Sequence, residues 1–542
     1  MQIHSIPLDV HQPLLQDYYN ESEYMMSHFH YNPFDESSFQ TRLKDLKNNT
    51  YNRNALTDAL KKMNANWAAP EESNKNIERL KDDNSVVVIA GQQAGLLTGP
   101  LYTINKILSV LQMAKEQEKK QGVPVIPVFW MAGEDHDFAE INHVYMPDEG
   151  GMKKKPIGQH APDKVPVSSI SIDHEKALQW LDDLFMLMNE TAHSKNLYET
   201  LSSCLKHSKT YVDFFARVIY RLFPNSGLVL VDSDNRELRQ LETDCFLELI
   251  NRQPEIANGV HQSVQSLKQH GYTLSLETEP DEGHLFYHVN GQRLLLFKEE
   301  NTGLWRSKAH DIELTTENLL ETASRTPERL SNNVVTRPLM QEWLFPALAF
   351  LGGPGEISYW AALKPAFSAC GLKMPPVLPR KSFTYVGRDT ERALQKHHIH
   401  VGNVIRSGTS GEKGNWLSAQ FNPPIEEMVT EVKRAITTAH QPLSQAAEKI
   451  QPDLGHMAQT NLLHLHRELE QLEKHITKRI KARHREEIAE FDLIEQAIRP
   501  LSNLQERIWT PLPFLNDCGM EMFEKLANQP WPDDQGHYVV YL

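Results

Sequence analysis

Cysteine is scarce in this chain of 542 residues: Cys204, Cys245, Cys370 and Cys518 stand far apart, with no C-x-x-C pair. That excludes a sequence-evident zinc ribbon or thioredoxin motif and suits a reducing cytosol. Positive charge is in deficit too, with 56 basic against 71 acidic residues and a formal charge of −15. A net acidic chain does not fit a general nucleic-acid binder. Its basic runs, Lys153 to Lys155 and Lys478 to Arg485, are local. No apolar run is long enough to span a bilayer. The start, Met1-Gln-Ile-His-Ser-Ile-Pro7, lacks the basic region and apolar core of a signal peptide. These absences predict a cytoplasmic protein with neither a membrane nor a nucleic-acid partner.

What is present centres on Ser85 to Lys106. Val86 to Ala90 is a β-branched run, the pattern of a strand buried on both faces. Gly91, Gly95 and Gly99 follow, and Pro100 is suited to open a helix running to about Lys120. Strand, glycine loop and helix N-terminus form a geometry that receives anions. The spacing matches neither the dinucleotide nor the P-loop signature, so a turn built for packing is the other reading. A second buried strand, Val123 to Ala132, ends in Gly133-Glu-Asp-His-Asp-Phe138. Glu134, Asp135, His136, Asp137 and Glu140 then crowd the carboxyl end of a strand, where ligands of open α/β sheets bind. Such a cluster could do acid–base work, hold a divalent ion or grip an amine. Mutual repulsion should raise some of the carboxyl pKa values and favour the imidazolium. A hydrated loop with a helix cap at Asp135 or Asp137 is the bland alternative.

A third buried strand, Leu228 to Asp234, ends in Asp232 and Asp234. One helix is expected over Leu201 to Leu222 and another over Glu237 to Asn251. Asn290-Gly291 between apolar runs predicts a hairpin inside a small α+β insertion. Ala347 to Glu356, with Gly352, Gly353 and Gly355 around Pro354, reads as another strand-to-helix loop, and Arg337 could reach an anion. Arg380, Lys381 and Ser382 end a further strand, where cations could clamp a polyphosphate. The aromatic segment Tyr18 to Phe34 reads as core. Beyond Arg388, Ile425 to Ile450 and Leu454 to Arg499 carry heptad-like stripes. The second should be one helix about 70 Å long at about 1.5 Å per residue. A helical hairpin, an antiparallel dimer contact, or both would cover the stripes.

Ala90-Gly-Gln-Gln-Ala-Gly-Leu-Leu-Thr-Gly-Pro-Leu-Tyr102, Phe129-Trp-Met-Ala-Gly-Glu-Asp-His-Asp-Phe138, Glu140-Ile-Asn-His143, Gly353-Pro-Gly-Glu-Ile-Ser-Tyr-Trp360, Pro379-Arg380 and Leu504-Gln-Glu-Arg507 together resemble the bacillithiol synthase family. The resemblance implies an α/β fold: a Rossmann-like nucleotidyltransferase core with connecting insertions, plus a long α-helical coiled-coil domain that forms a homodimer. It also implies a ligase that adds cysteine to the amine of glucosaminyl-malate, forming an amide. Such a core is similar to that of class I aminoacyl-tRNA synthetases, whose His-x-Gly-His turn would correspond to Leu97-Thr98-Gly99-Pro100. The glycine is kept and both histidines are absent. The late Lys-Met-Ser-Lys-Ser loop would correspond to Pro379 to Ser382. No cysteine cluster is available to hold the thiol through zinc.

The resulting expectation divides the chain into 1–84 (helical, packing on the core), 85–240 and 331–387 (the core), 241–330 (the insertion), 388–505 (the coiled coil) and 506–542 (returning to the core). Glu134, Asp135, His136 and Asp137 are the candidate catalytic groups. Gly91, Gln92, Gln93, Gly95, Thr98, Gly99, Asn142, His143, Arg337, Gly355, Glu356, Tyr359, Arg380 and Ser382 are the candidate substrate or nucleotide contacts. ATP is the expected activator, because a carboxylate is a poor electrophile, and a metal is left open. Two rival readings are a metal-dependent hydrolase built on Asp135, His136, Asp137 and His143, and a non-catalytic coiled-coil scaffold.

Overall fold

In the computed structural model, residues 1–7, 12–148, 150–309, 312–421, 424–532, 534 and 536–542 are described. They form two compact units, one of Met1–Thr384, Gln505–Val540 and Leu542, the other of Tyr385–Leu504 and Tyr541.

The first unit is built on five strands: Val86–Gln92 (β1), Val125–Met131 (β2), Val229–Asp232 (β3), Ala347–Gly352 (β4) and Val377–Pro379 (β5). All neighbouring pairs are parallel. Their β-branched and aromatic side chains are buried on both faces, as a covered parallel sheet requires. The order across the sheet is β3-β2-β1-β4-β5. The chain therefore winds outward from β1, then returns to its other side with β4. That reversal is the topological switch point, and in open α/β sheets ligands bind beside it at the strands' carboxyl ends.

Tyr102–Gln121 (α1) returns from β1. It starts two residues later than Pro100, because Leu97 (φ 47°), Thr98 (φ 72°) and Gly99 (φ 73°) take left-handed conformations and make an extra tight turn first. Two expected helices are each divided. Thr210 and Asp213 form a capping box that starts a new helix, Tyr211–Leu222, after Ser194–Lys206 has ended. Arg236–Leu241 and Thr243–Asn251 part at Glu242, whose buried carboxylate pairs with Arg239 at 2.6 Å.

The insertion folds as a five-stranded antiparallel sheet with the hairpin Glu282–Val289 (β6) and Gln292–Lys298 (β7) at its heart. Asn290 (φ 51°) and Gly291 (φ 77°) make its tight turn. Of the N-terminal helices, Arg53–Asn66 and Glu71–Arg79 pack on β3, and Ser37–Leu46 packs on β4, where Arg42 donates to the Ala347 carbonyl at 2.9 Å and forms a buried ion pair with Glu342. Tyr18, Phe29 and Tyr31 are core residues.

In the second unit, Ile425–Ile450 and Pro452–Arg483 form an antiparallel hairpin bridged by Lys433–Glu470 (3.0 Å), Thr437–His466 (3.1 Å) and His440–Asn461 (3.1 Å). The single long helix expected over Leu454 to Arg499 is broken at His484 (ψ 31°), and Arg485–Ile498 continues. The break lies where packing changes. Above it the helix meets one partner; below it Phe491, Ile494 and Ile498 are buried in a small base with Trp416 and His397. Trp416 sets its ring edge-on to His484 at 5.5 Å.

Candidate active site

At the switch point a cleft of about 860 Å³ opens over the ends of β1, β2 and β4. Lys106, on α1, fastens two of these ends. Its ammonium donates to the Gly91 carbonyl and to Gln92 Oε1, both at 2.7 Å, and pairs with Glu356. Glu356 also caps Pro354–Trp360 by accepting from the Gly353 amide at 2.8 Å. Burial lowers the Lys106 pKa, with Glu356 opposing. Gly91 suits the crowded strand end, where a Cβ would lie 3.0 Å from the Trp130 carbonyl and 3.2 Å from Arg337 Nη1, so that a side chain would press on both.

The far wall is a buried charge network. Arg239 pairs with Glu134 and, at 2.6 Å, with Glu242. Burial opposes its charge, but three surrounding carboxylates overcome that and hold its pKa up. Burial pushes Asp234 up to about 7 and Asp232 up to about 6. Asp232 accepts from Ser168 Oγ at 2.8 Å and packs on Gly133, where a Cβ would lie only 2.0 Å from its Oδ1. The raised carboxyls are thus at the end of β3 and build a turn.

His136 departs from expectation. Its pKa is lowered, first by burial and then by Arg293, which outweigh Asp135 and Asp137. Arg293 comes from β7, lies over the Phe286 ring at 3.7 Å and approaches His136 Nδ1 at 3.2 Å. A guanidinium can only donate, so Nδ1 accepts and the neutral ring carries its proton on Nε2. The imidazolium is therefore disfavoured, and His136 presents a donor rather than a base.

The cleft has two chemically opposite flanks. On one, Gln93 Nε2 bridges Asp135 at 2.6 Å and Glu140 at 2.7 Å, a carboxylate pair fit for an amine. On the other, Arg337 bonds the Tyr359 hydroxyl and Arg507 lines the rim; among the described residues neither forms an ion pair with a carboxylate. Arg380 also lines the cleft, but its guanidinium is held by Glu506 through bonds of 2.9 and 2.6 Å. Burial would raise Glu506, yet Arg380 prevails and holds it at about 2.

Of the residues singled out from sequence, the structure brings Gly91, Gln92, Gln93, Glu134, Asp135 and His136 to the cleft, together with Arg337, Gly355, Glu356, Tyr359 and Arg380. Gly95, Gly99 and His143 line a smaller recess beside it. Asp137 is exposed at the cap of a short helix, and Asn142 Oδ1 bonds His143 Nδ1 at 3.2 Å. Thr98 is buried away from both cavities, and Ser382 bonds His537 Nδ1 at 2.9 Å. The α1 N-terminus is no open anion cradle: the Trp509 carbonyl accepts from the Leu101 amide at 2.8 Å, and the Gly95 and Gly99 amides bond within the loop. Among the described residues no group of three or more His, Cys, Asp or Glu side chains is placed to hold a metal ion. None of their helices is long and apolar enough to cross a membrane. Sequence reasoning gave no role to Lys106, Glu506, Arg293 or Arg507. Lys106 carried a signal, a lone cation among Ile104, Ile107 and Leu108, whereas nothing local tied the hairpin to the cleft.

Two family descriptions cover the chain. Residues 1–381 match "Bacillithiol biosynthesis BshC, N-terminal Rossmann-like domain", and residues 383–542 match "Bacillithiol biosynthesis BshC, C-terminal coiled-coil domain". The chain belongs to the BshC family. A relative from Oceanobacillus iheyensis, named "Putative cysteine ligase BshC", is 40% identical over 532 residues, 98% of each chain. Relatives of that name from Bacillus cereus strain AH187 and Bacillus anthracis are each 39% identical over 531 residues, again 98% of each chain. The Rossmann-like description fits the switch-point sheet, and the coiled-coil description fits the helical hairpin of this BshC member.

Proposed function

We propose that the protein is a ligase that joins the carboxyl of cysteine to the amine of glucosaminyl-malate in bacillithiol biosynthesis, in the cytoplasm and at the expense of ATP. The observation that carries this reading is the pairing of opposite flanks across one switch-point cleft. Asp135 and Glu140 suit amino groups; Arg337 and Arg507 suit phosphate or the malyl carboxylates. ATP supplies the leaving group that makes the cysteine carbonyl electrophilic. The anion is met by guanidinium groups, since the α1 terminus is already bonded to Trp509 and the synthetase-type histidines are missing. Asp135 takes the proton lost as the sugar amine forms the C–N bond and the acyl–oxygen bond breaks. His136 offers Nε2–H to oxygen at the reacting centre, and Lys106, Glu134 and Glu356 hold the three strand ends in place. The decisive experiment incubates the purified protein with cysteine and glucosaminyl-malate, with and without ATP, and looks for the conjugate by mass spectrometry. Conjugate formed only with ATP is expected; none with ATP, or as much without it, would refute the reading.

We also propose a homodimer through the helical hairpin. Leu443, Leu472 and Ile450 are 63%, 55% and 71% exposed, apolar side chains that a second hairpin would cover. Sedimentation of the wild type should give a dimer, and Leu443→Glu with Leu472→Glu a monomer.

A further inference from the structure

A small recess opens off the cleft, and Gln93, Tyr102 and Glu140 line both. Its volume is about 30 Å³, room for roughly two atoms the size of a water oxygen. Pro100, Ile141, Val144 and Ile508 give it mostly apolar walls. One wall belongs to the returning C-terminal segment. Trp509 fixes it there, accepting from Leu101 at 2.8 Å and bridging Tyr145. Thr510 lines the recess as well, only 1% exposed, and its hydroxyl has no hydrogen-bond partner. Buried hydroxyls are ordinarily bonded, so an unpartnered one in the wall of a cavity has bonding capacity to offer a ligand there.

We propose that this recess receives the side chain of the amino-acid substrate and is cut for a sulfanylmethyl group, –CH2SH. The inference rests on the ligase reading above. Cβ and Sγ of cysteine occupy the recess, and the thiol meets the Thr510 hydroxyl. The α-ammonium stays at the mouth on Glu140, and the carboxyl points into the cleft for activation. Cysteine fills two atom positions. Alanine leaves one empty, and methionine is too long. Serine fits by size but carries into apolar walls a hydroxyl that needs more than one partner, whereas a thiol is a weak donor and acceptor that tolerates them. The arrangement selects a thiol without a metal. It also keeps the sulfur, a better nucleophile than an amine, away from activated carbonyl carbon.

The test measures binding of L-cysteine, L-serine, L-alanine and L-methionine to the full-length protein by calorimetry under reducing conditions, alongside ligation rates. Cysteine should bind about tenfold or more tighter than alanine, the range expected for one filled position in an apolar pocket. Val144→Leu puts one more carbon into the recess and should weaken cysteine by about tenfold or more, leaving the KM for glucosaminyl-malate unchanged. Thr510→Val keeps the shape, removes the hydroxyl and should shrink the cysteine-to-alanine ratio several-fold. If Val144→Leu does not fold, Thr510→Val decides alone. A cysteine preference that survives in folded variants, or is absent from the wild type, overturns the recess as the thiol site. A wild type that prefers cysteine yet makes no conjugate would instead overturn the ligase reading.

Discussion

Five arginines face or back the cleft; Arg293 is taken up by His136 and the Asn332 carbonyl, and the other four divide into two kinds. Arg239 and Arg380 are buried and ion-paired, with Glu134 and Glu242 in one case and with Glu506 in the other. Arg337 and Arg507 form no ion pair among the described residues, although both line the cavity. A buried guanidinium already held by carboxylates has little left to offer a ligand, and it becomes part of the frame. One facing a cavity with no carboxylate in contact keeps donors to spend on what enters. The distinction comes from partners, not from residue type or depth.

Breaking a frame arginine should have the largest effect. Arg380→Ala strands the Glu506 carboxylate, and removal of one partner of a buried pair costs about 3–5 kcal/mol. Denaturant unfolding should show that loss, and activity should fall with the folded fraction. The cavity arginines should do the reverse. Arg337→Ala should lower kcat/KM by about 10²–10³-fold, as for loss of one preorganised charge donor, while the melting temperature stays near wild type. Equal losses of stability in Arg337→Ala and Arg380→Ala would erase the division.

Acid should attack the frame at a predictable place. His537, beside Ser382 and Thr384, is pushed down to about 4 by burial, although Glu506 draws it upward. A folded pKa below the unfolded value of about 6.5 means that the unfolded chain binds the proton more readily. The neutral ring's contribution is therefore whole above pH 6.5 and is lost as pH falls towards 4. The loss is on the order of 3 kcal/mol, from the 1.36 kcal/mol carried by each pKa unit. Glu506 adds a second loss below its unfolded value as pH approaches 2, its folded pKa. His537→Gln should reduce the first stage of an acid titration followed by tryptophan fluorescence, the rest of it coming from His30 and His288, which burial pushes down to about 4 and about 3, and leave the second. The smallest effect is expected at the exposed rim: Arg507→Ala should raise KM for the anionic substrate about tenfold or less, with kcat nearly unchanged.

The sheet was readable because its strands are short apolar runs, three of them ending at or beside a glycine, Gly91, Gly133 and Gly352. The glycine turns at Gly91 and Gly353 and the Asn290-Gly291 hairpin were equally legible, since each follows from local backbone needs. Residues of the cleft that lie on those turns came with them. Arg293 and Glu506 did not, because they reach the site from the insertion and from the segment after the coiled coil, and no local pattern encodes that approach. His136 was visible but its charge state was not: Arg293, 157 positions away, decides it. The helical hairpin followed from its heptads, while the break at His484 needed Trp416 and Phe491, whose packing overrides a continuous pattern.

The carbonyl of Trp509 on the first turn of α1 has a consequence in time. A ribosome delivers Arg380 long before Glu506, which follows it by 126 positions. Until that stretch emerges, the nascent sheet holds a bare guanidinium, an uncapped helix and a gap where Ile508 and Thr510 belong. The cleft is thus completed only once residues 506–510 have been made, so a chain stalled before them would carry the scaffold of the enzyme without its full reactivity.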